Sequence, residues 1–172
     1  MKNLEKDQLE NLCEIIGSNP SQQVVHFADS GLMFTDVLSQ YCQKREYLYQ
    51  INCIDKTFYE EALSYHKNKT DAKVMHFNLA RPSYMIQARE YNFLFLTANI
   101  DDDTRDDFLK KVHKIIRSAG SIVIFLEKKG YGQLDSWVAS LEEKLFVSTS
   151  IIDDMFKEYD VIISKKMHGW GD

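Results

Sequence analysis

The chain has 172 residues, of which 44% are hydrophobic and 27% charged. That is enough for one domain with a sizeable core, and two prolines and seven glycines exclude collagen-like, linker-rich and disordered classes. Twenty-one basic against 26 acidic side chains leave a net charge of −5, which argues against non-specific binding to nucleic acid or an anionic membrane.

Glu5, Asp7, Glu10 and Glu14 deny residues 1–16 the apolar core of a secretory signal. No apolar run approaches the roughly 20 residues of a membrane span. Cys13, Cys42 and Cys53 are odd in number and far apart, which fits neither a disulfide framework nor a zinc spacing. These features predict reduced thiols in a cytoplasmic protein.

The pattern along the chain alternates strands and helices. Leu9, Leu12, Cys13 and Ile16 recur at helical spacing, and Gly17-Ser18-Asn19-Pro20 stops that helix. Val24-Val25-His26-Phe27-Ala28 has the length of a buried strand and ends at Asp29-Ser30-Gly31. Met33/Phe34, Val37/Leu38 and Tyr41/Cys42 then mark an amphipathic helix. Residues 47–54 read as a second strand, closed by Asp55, with Phe58, Ala62, Leu63 and His66 on the next helix. A third strand over residues 74–79 runs into Ala80-Arg81-Pro82, a loop or short turn. Phe93-Leu94-Phe95-Leu96 has the continuous apolar character of a central parallel strand.

Asp101, Asp102 and Asp103 offer an N-cap for the following helix, whose buried stripe is Phe108, Val112, Ile115 and Ile116. Lys110, Lys111, Lys114 and Arg117 sit towards its negative end, and Gly120 is the predicted C-cap. Residues 122–126 form another buried strand, and Leu134, Trp137, Val138 and Leu141 one more helix. Phe146–Ile152 and residues 159–164 are two β-rich runs too close for an intervening helix, so they should pair antiparallel. The prediction is one α/β domain over residues 1–172: an N-terminal helix and linker over 1–20, a core over 24–166 and a tail over 167–172. Five βα units and a terminal hairpin imply a three-layer, mostly parallel seven-stranded sheet with an antiparallel edge.

This order of elements resembles the class I S-adenosylmethionine-dependent methyltransferases, a Rossmann-like family whose last strand inserts antiparallel beside the fifth. The resemblance covers residues 24–166. Val24-Val25-His26-Phe27-Ala28-Asp29-Ser30-Gly31-Leu32 occupies the family's first motif, and Ile54-Asp55 followed by Ala62 is similar to its acidic second motif. Tyr91-Asn92-Phe93-Leu94-Phe95-Leu96 looks like its fourth strand, and residues 115–123 are similar to its turn into the fifth. The family's first motif is an acid followed by three alternating glycines, which let backbone approach the cofactor. This chain has His26 in the acidic slot and Ala28, Ser30 and Leu32 in the glycine slots. Asn78 stands where the family often has an acid near the adenine, and Thr97-Ala98-Asn99-Ile100 matches none of its catalytic motifs.

The resemblance implies that Asp55 holds the ribose of S-adenosylmethionine. His26, Ala28, Asp29, Ser30 and Gly31 would then surround its methionine part, with Asn78 near the adenine. Each position also has a plain structural reading. Asp55 can cap a helix, Asp29-Ser30-Gly31 can be a strand-to-helix turn, and His26 and His76 can be buried, hydrogen-bonded strand residues. The remaining histidines show no ligand pair, and Asp101–Asp103 cap a helix without a metal, so no metal site is predicted. No nucleophile elbow, P-loop or Cys/His pair identifies a catalytic residue. Tyr84, Tyr91, Tyr131 and Trp170 are aromatic residues outside the clear core spacing, available to a substrate or partner surface.

Two functions follow. The first is a small S-adenosylmethionine-dependent methyltransferase of unknown acceptor, working by placing that acceptor in line with the methyl sulfonium. The second is a cofactor-free descendant of the fold that binds a protein partner. Leu32 discriminates between them: over the first strand it would block the cofactor, and turned into the core it would not. The acidic balance makes nucleic acid the less natural partner, no membrane association is expected, and an oligomer is allowed.

Overall fold

The computed structural model describes residues 1–169; the Trp170 expectation therefore lies outside the described residues. Seven strands form one sheet: β1 (Gln23–Ala28), β2 (Leu48–Cys53), β3 (Lys73–His76), β4 (Tyr91–Leu96), β5 (Ile116–Glu127), β6 (Phe146–Ile152) and β7 (Tyr159–Lys166). Their order is β3-β2-β1-β4-β5-β7-β6. The first five run parallel, and β7 inserts antiparallel between β5 and β6. This is the mostly parallel sheet with an antiparallel hairpin that the sequence predicts.

Alternation along the buried strands assigns each face its helices. On one face Val24, Ala28, Ile51, Phe95 and Val123 pack with α1 (Lys6–Cys13), α2 (Leu32–Lys44) and α3 (Lys56–His66). On the other, Val25, Phe27, Leu94 and Ile124 pack with α4 (Asp102–Ile115) and α5 (Tyr131–Glu143). Burying both faces gives the three layers and explains the near-continuous apolar strands.

Four local expectations are corrected. Helices follow β1, β2, β4 and β5, making four βα units rather than five; residues 77–90 carry no helix. Phe77 and Tyr84 fill the helix-side space there: Phe77 packs on Phe27 with ring centroids 5.1 Å apart, and Tyr84 on Phe27 and Phe108 at 5.7 and 6.0 Å. The Tyr84 hydroxyl donates to the Leu79 carbonyl at 2.8 Å, so Tyr84 is core, as is buried Tyr91, whereas Tyr131 is 84% exposed.

Next, α4 ends at Ile115, and Gly120 lies inside β5 rather than capping the helix. A Cβ on Gly120 would stand 2.7 Å from Ile116 Cγ2 and 3.0 Å from the Asn92 carbonyl oxygen. Glycine is needed there for close approach. Finally, His76 is exposed at the end of β3, not buried.

Candidate functional site

Parallel strands deliver their carboxyl ends to one edge of the sheet. Ala28 of β1 pairs with Cys53 of β2, and Phe27 with Leu96 of β4. The chain runs from β1 through β2 to β3 on one side and through β4 to β5 on the other, so the order reverses between β1 and β4. A crevice outside that reversal is where open α/β sheets bind ligands.

Asp29-Ser30-Gly31 connects β1 to α2. Gly31 adopts φ +94°, a left-handed conformation that turns the strand sharply into the helix. Asp29 is engaged on both oxygens: Oδ1 accepts from the Ser30 hydroxyl at 2.9 Å and Oδ2 from the Asn99 backbone nitrogen at 3.0 Å. It thereby ties the end of β1 to the loop after β4.

Two cavities open at this edge. One, of about 420 Å³, is lined by Asp29, Ser30, Gly31, Leu32 and Asp55, among others. The second, of about 150 Å³, is lined by Thr97, Asn99, Phe125, Gln133, Trp137 and Tyr159, among others. Met1, Asp29 and Ser30 line both, so the two cavities are lobes of one crevice. The Met1 nitrogen donates to Ser30 Oγ at 2.8 Å, and the Lys2 amide donates to the Tyr159 hydroxyl at 3.1 Å. Residues 1–2 therefore lie across the junction of the lobes.

Asp55 stands at the mouth of the larger lobe and caps α3, its Oδ1 accepting from the Phe58 amide at 2.7 Å. Oδ2 has no hydrogen-bond partner among the described residues. The helix-cap reading of Asp55 thus holds, and its side chain also lines the larger lobe. Leu32 is half-buried, packed against the core of the α2 face while lining the larger lobe as wall. Ala28 is fully buried and its Cβ belongs to the core. Asn78 lines neither lobe; its Oδ1 accepts from the Ala80 amide at 2.9 Å in a local turn.

His26 lies fully buried beneath the crevice. Its Nδ1 is 2.9 Å from the Tyr49 hydroxyl and its Nε2 2.7 Å from Thr97 Oγ1. Burial pushes its pKa down from 6.5 to about 3, so the ring is neutral at physiological pH. Tyr49, also buried, has its pKa raised well above 10.0 and stays protonated. Neither residue touches the crevice directly, but Thr97 does. Burial likewise pushes Cys13, Cys42 and Cys53 up to about 12, which leaves no thiolate nucleophile at neutral pH.

Other polar groups are structural. His66 bonds Thr35 Oγ1 at 2.9 Å and Thr70 Oγ1 at 3.0 Å, pinning α2 to α3. Asp101 occupies the N-cap position of α4 without a side-chain cap bond, and Asp102 instead pairs with Arg105 at 2.8 Å. Among the described residues no group of three or more His, Cys, Asp and Glu is placed to hold a metal. Likewise, no helix among them is long and apolar enough to cross a membrane.

Thr97, Tyr49, Met1, Gln133, Trp137 and Tyr159 are crevice or sub-crevice residues that sequence reasoning missed. The available signal was a lone histidine, His26, inside an otherwise apolar central strand.

Solved structures share this architecture. A TehB-like S-adenosylmethionine-dependent methyltransferase from Corynebacterium glutamicum ATCC 13032 Kitasato superposes with a TM-score of 0.67 at 14% identity, over 92% of this chain and 87% of that one. The fold is that of the class I methyltransferases. An S-adenosylmethionine-dependent O-methyltransferase from Thermotoga maritima matches with a TM-score of 0.72 at 11% identity, over 100% of this chain and 69% of that one. The N-methyltransferase NodS from Bradyrhizobium japonicum WM9 matches at 0.67 and 11%, over 95% and 94%. No family model and no curated protein matches the sequence. What is shared is the methyltransferase fold, with this chain's own residues at the crevice.

Proposed function

We propose that the chain is a small S-adenosylmethionine-dependent methyltransferase whose cofactor lies along the two-lobed crevice. The observation that carries the reading is Asp55: a carboxylate at the carboxyl end of β2, at the mouth of a lobe of about 420 Å³, with Oδ2 free of partners among the described residues. That lobe is within the size range of small-molecule sites. Asp55 can accept from a ribose hydroxyl while its other oxygen still caps α3.

The residues in the glycine slots are compatible with such a ligand. The Ala28 Cβ is in the core, Ser30 folds onto Asp29, and Leu32 forms a wall. When bound, the cofactor supplies an electrophilic methyl sulfonium. The protein's own contribution is orientation: Asp55 fixes one end, the Asp29–Asn99 tie holds the loops on either side of the reversal, and Phe125 and Trp137 wall the smaller lobe. Methyl transfer from a sulfonium needs alignment more than acid–base assistance.

A second reading, a cofactor-free partner-binding module, is favoured by one observation. Met1 and Lys2 are hydrogen-bonded across the junction of the lobes. Thermal unfolding with and without S-adenosylmethionine or S-adenosylhomocysteine separates the two. A ligand that binds the native state raises the midpoint in proportion to the logarithm of its concentration. A concentration-dependent rise supports the methyltransferase; none up to a millimolar supports the module.

A further inference from the structure

We infer that Thr97 is a directional hydrogen-bond donor into the crevice, set in that role by the buried pair Tyr49–His26, and that it receives the carboxylate of the cofactor's amino-acid end. This rests on the reading that the crevice takes S-adenosylmethionine.

The direction follows by elimination. The Tyr49 hydroxyl is buried, and His26 Nδ1, 2.9 Å away, is its hydrogen-bond partner. A buried phenol that accepted from Nδ1 would strand its own hydrogen, an arrangement native interiors avoid. Tyr49 therefore donates, Nδ1 accepts, and the neutral imidazole carries its hydrogen on Nε2. That hydrogen is donated to Thr97 Oγ1 at 2.7 Å. The Thr97 hydroxyl cannot donate back to His26, and it has no other acceptor among the described residues. Thr97 lines the smaller lobe, so its hydrogen is offered there, to a ligand atom bearing a lone pair.

The same logic excludes a proton sink. His26 has no free lone pair facing Thr97, and burial keeps the ring a very weak base. His26 and Tyr49 are positioning residues, and Thr97 is the one that meets the ligand.

Placement selects the carboxylate. A ligand with its ribose at Asp55 in the larger lobe passes Asp29 and Ser30 into the smaller one, where its far end reaches Thr97. The first turn of α5, with Gln133, opens on that lobe, and a helix N-terminus favours an anion. Lys129 lines it too, 3.6 Å from Glu127 of the same lobe.

The test uses the full chain and two probes: S-adenosylhomocysteine, which has the carboxylate, and 5′-methylthioadenosine, which does not. Thr97→Val, isosteric but without the hydroxyl, should weaken S-adenosylhomocysteine by about tenfold or more, as expected for a lost bond to a charged oxygen. It should leave methylthioadenosine unchanged, which also shows that the variant is folded. Thr97→Ser should restore wild-type affinity. Independently of any ligand, a proton–nitrogen correlation spectrum of the His26 ring should show hydrogen on Nε2. Hydrogen on Nδ1 overturns the donor assignment. Unchanged S-adenosylhomocysteine affinity in Thr97→Val, or an equal loss for both probes, overturns the carboxylate role while the cofactor reading stands. Binding of neither probe to the wild type overturns the cofactor reading and the carboxylate role together, and the His26 spectrum still decides the direction of the relay.

Discussion

The carboxylate of Asp29 accepts the backbone N–H of Asn99 at 3.0 Å, joining the loop after β1 to the loop after β4 across the point where the strand order reverses. The contact binds the two halves of the sheet at the edge where the crevice opens. Asp29→Ala removes this bond and the one from Ser30 at 2.9 Å. The expected loss is about 1 kcal/mol of stability, read as a lower urea midpoint with an unchanged slope. An unchanged midpoint would show that the tie is not energetically significant.

Acid should destabilise the protein through its buried histidines. The folded-state pKa of His26 is about 3 against 6.5 ordinarily, so the unfolded chain binds the extra proton between those values. Its contribution to stability is complete above pH 6.5 and is lost as pH falls towards 3, with a limiting slope of about 1.4 kcal/mol per pH unit. His66, whose pKa burial also lowers, acts in the same direction. Urea midpoints at pH 7.5 and 5.5 should differ, with the lower one at pH 5.5. Equal midpoints would contradict a neutral, buried His26.

Glycine substitutions should separate close approach from open space. Gly120→Ala places a Cβ 2.7 Å from Ile116 Cγ2, 2.9 Å from the Arg117 carbonyl oxygen and 3.0 Å from that of Asn92. Two of these neighbours are backbone, so the strain should cost about 1–3 kcal/mol. Gly132, in the first turn of α5, has nothing within 4 Å of such a Cβ, and Gly132→Ala should be neutral or stabilising by up to about 1 kcal/mol. Thermal unfolding of the two variants checks the contrast, and equal effects would contradict it.

Residues 1–2 should compete with a crevice ligand. The Met1 nitrogen holds Ser30 Oγ at 2.8 Å and the Lys2 amide holds the Tyr159 hydroxyl at 3.1 Å, where the lobes meet. A chain in which Met1 is followed directly by Glu5 should bind S-adenosylhomocysteine more tightly than the full sequence. Weaker binding would mean that the segment instead completes the site.

The fold was legible because its signals are local. Each buried strand is an apolar run bounded by turn residues, and the terminal pair of β-rich runs left no room for a helix. Gly120 misled because a glycine after a helical stripe resembles a C-cap. Ile116 is already in the strand, and the glycine answers to the Asn92 carbonyl of a neighbouring strand. The missing helix after β3 was hidden for a similar reason, since Phe77 and Tyr84 replace it, Phe77 packing on Phe27 and Tyr84 on Phe27 and Phe108, distant in sequence.

The candidate site was legible only where a single residue has a local role. Asp55 is visible as an acid closing a strand, and its cap is local. His26, Tyr49 and Thr97 are 23 and 71 residues apart, so no motif spacing links them, and only the pairing of β1 with β2 and β4 brings them together. Asn78 was assigned by position in the resemblance, yet its side chain closes its own turn.

The central claim is that the crevice holds an adenosyl cofactor through Asp55. It is tested most directly by calorimetric titration of S-adenosylhomocysteine into the wild type and Asp55→Ser. Serine still caps α3, so the variant keeps its fold but loses the carboxylate for the ribose. The account predicts micromolar binding to the wild type and at least a tenfold loss in Asp55→Ser. Equal affinity in both, or no heat in either up to a millimolar, would contradict it.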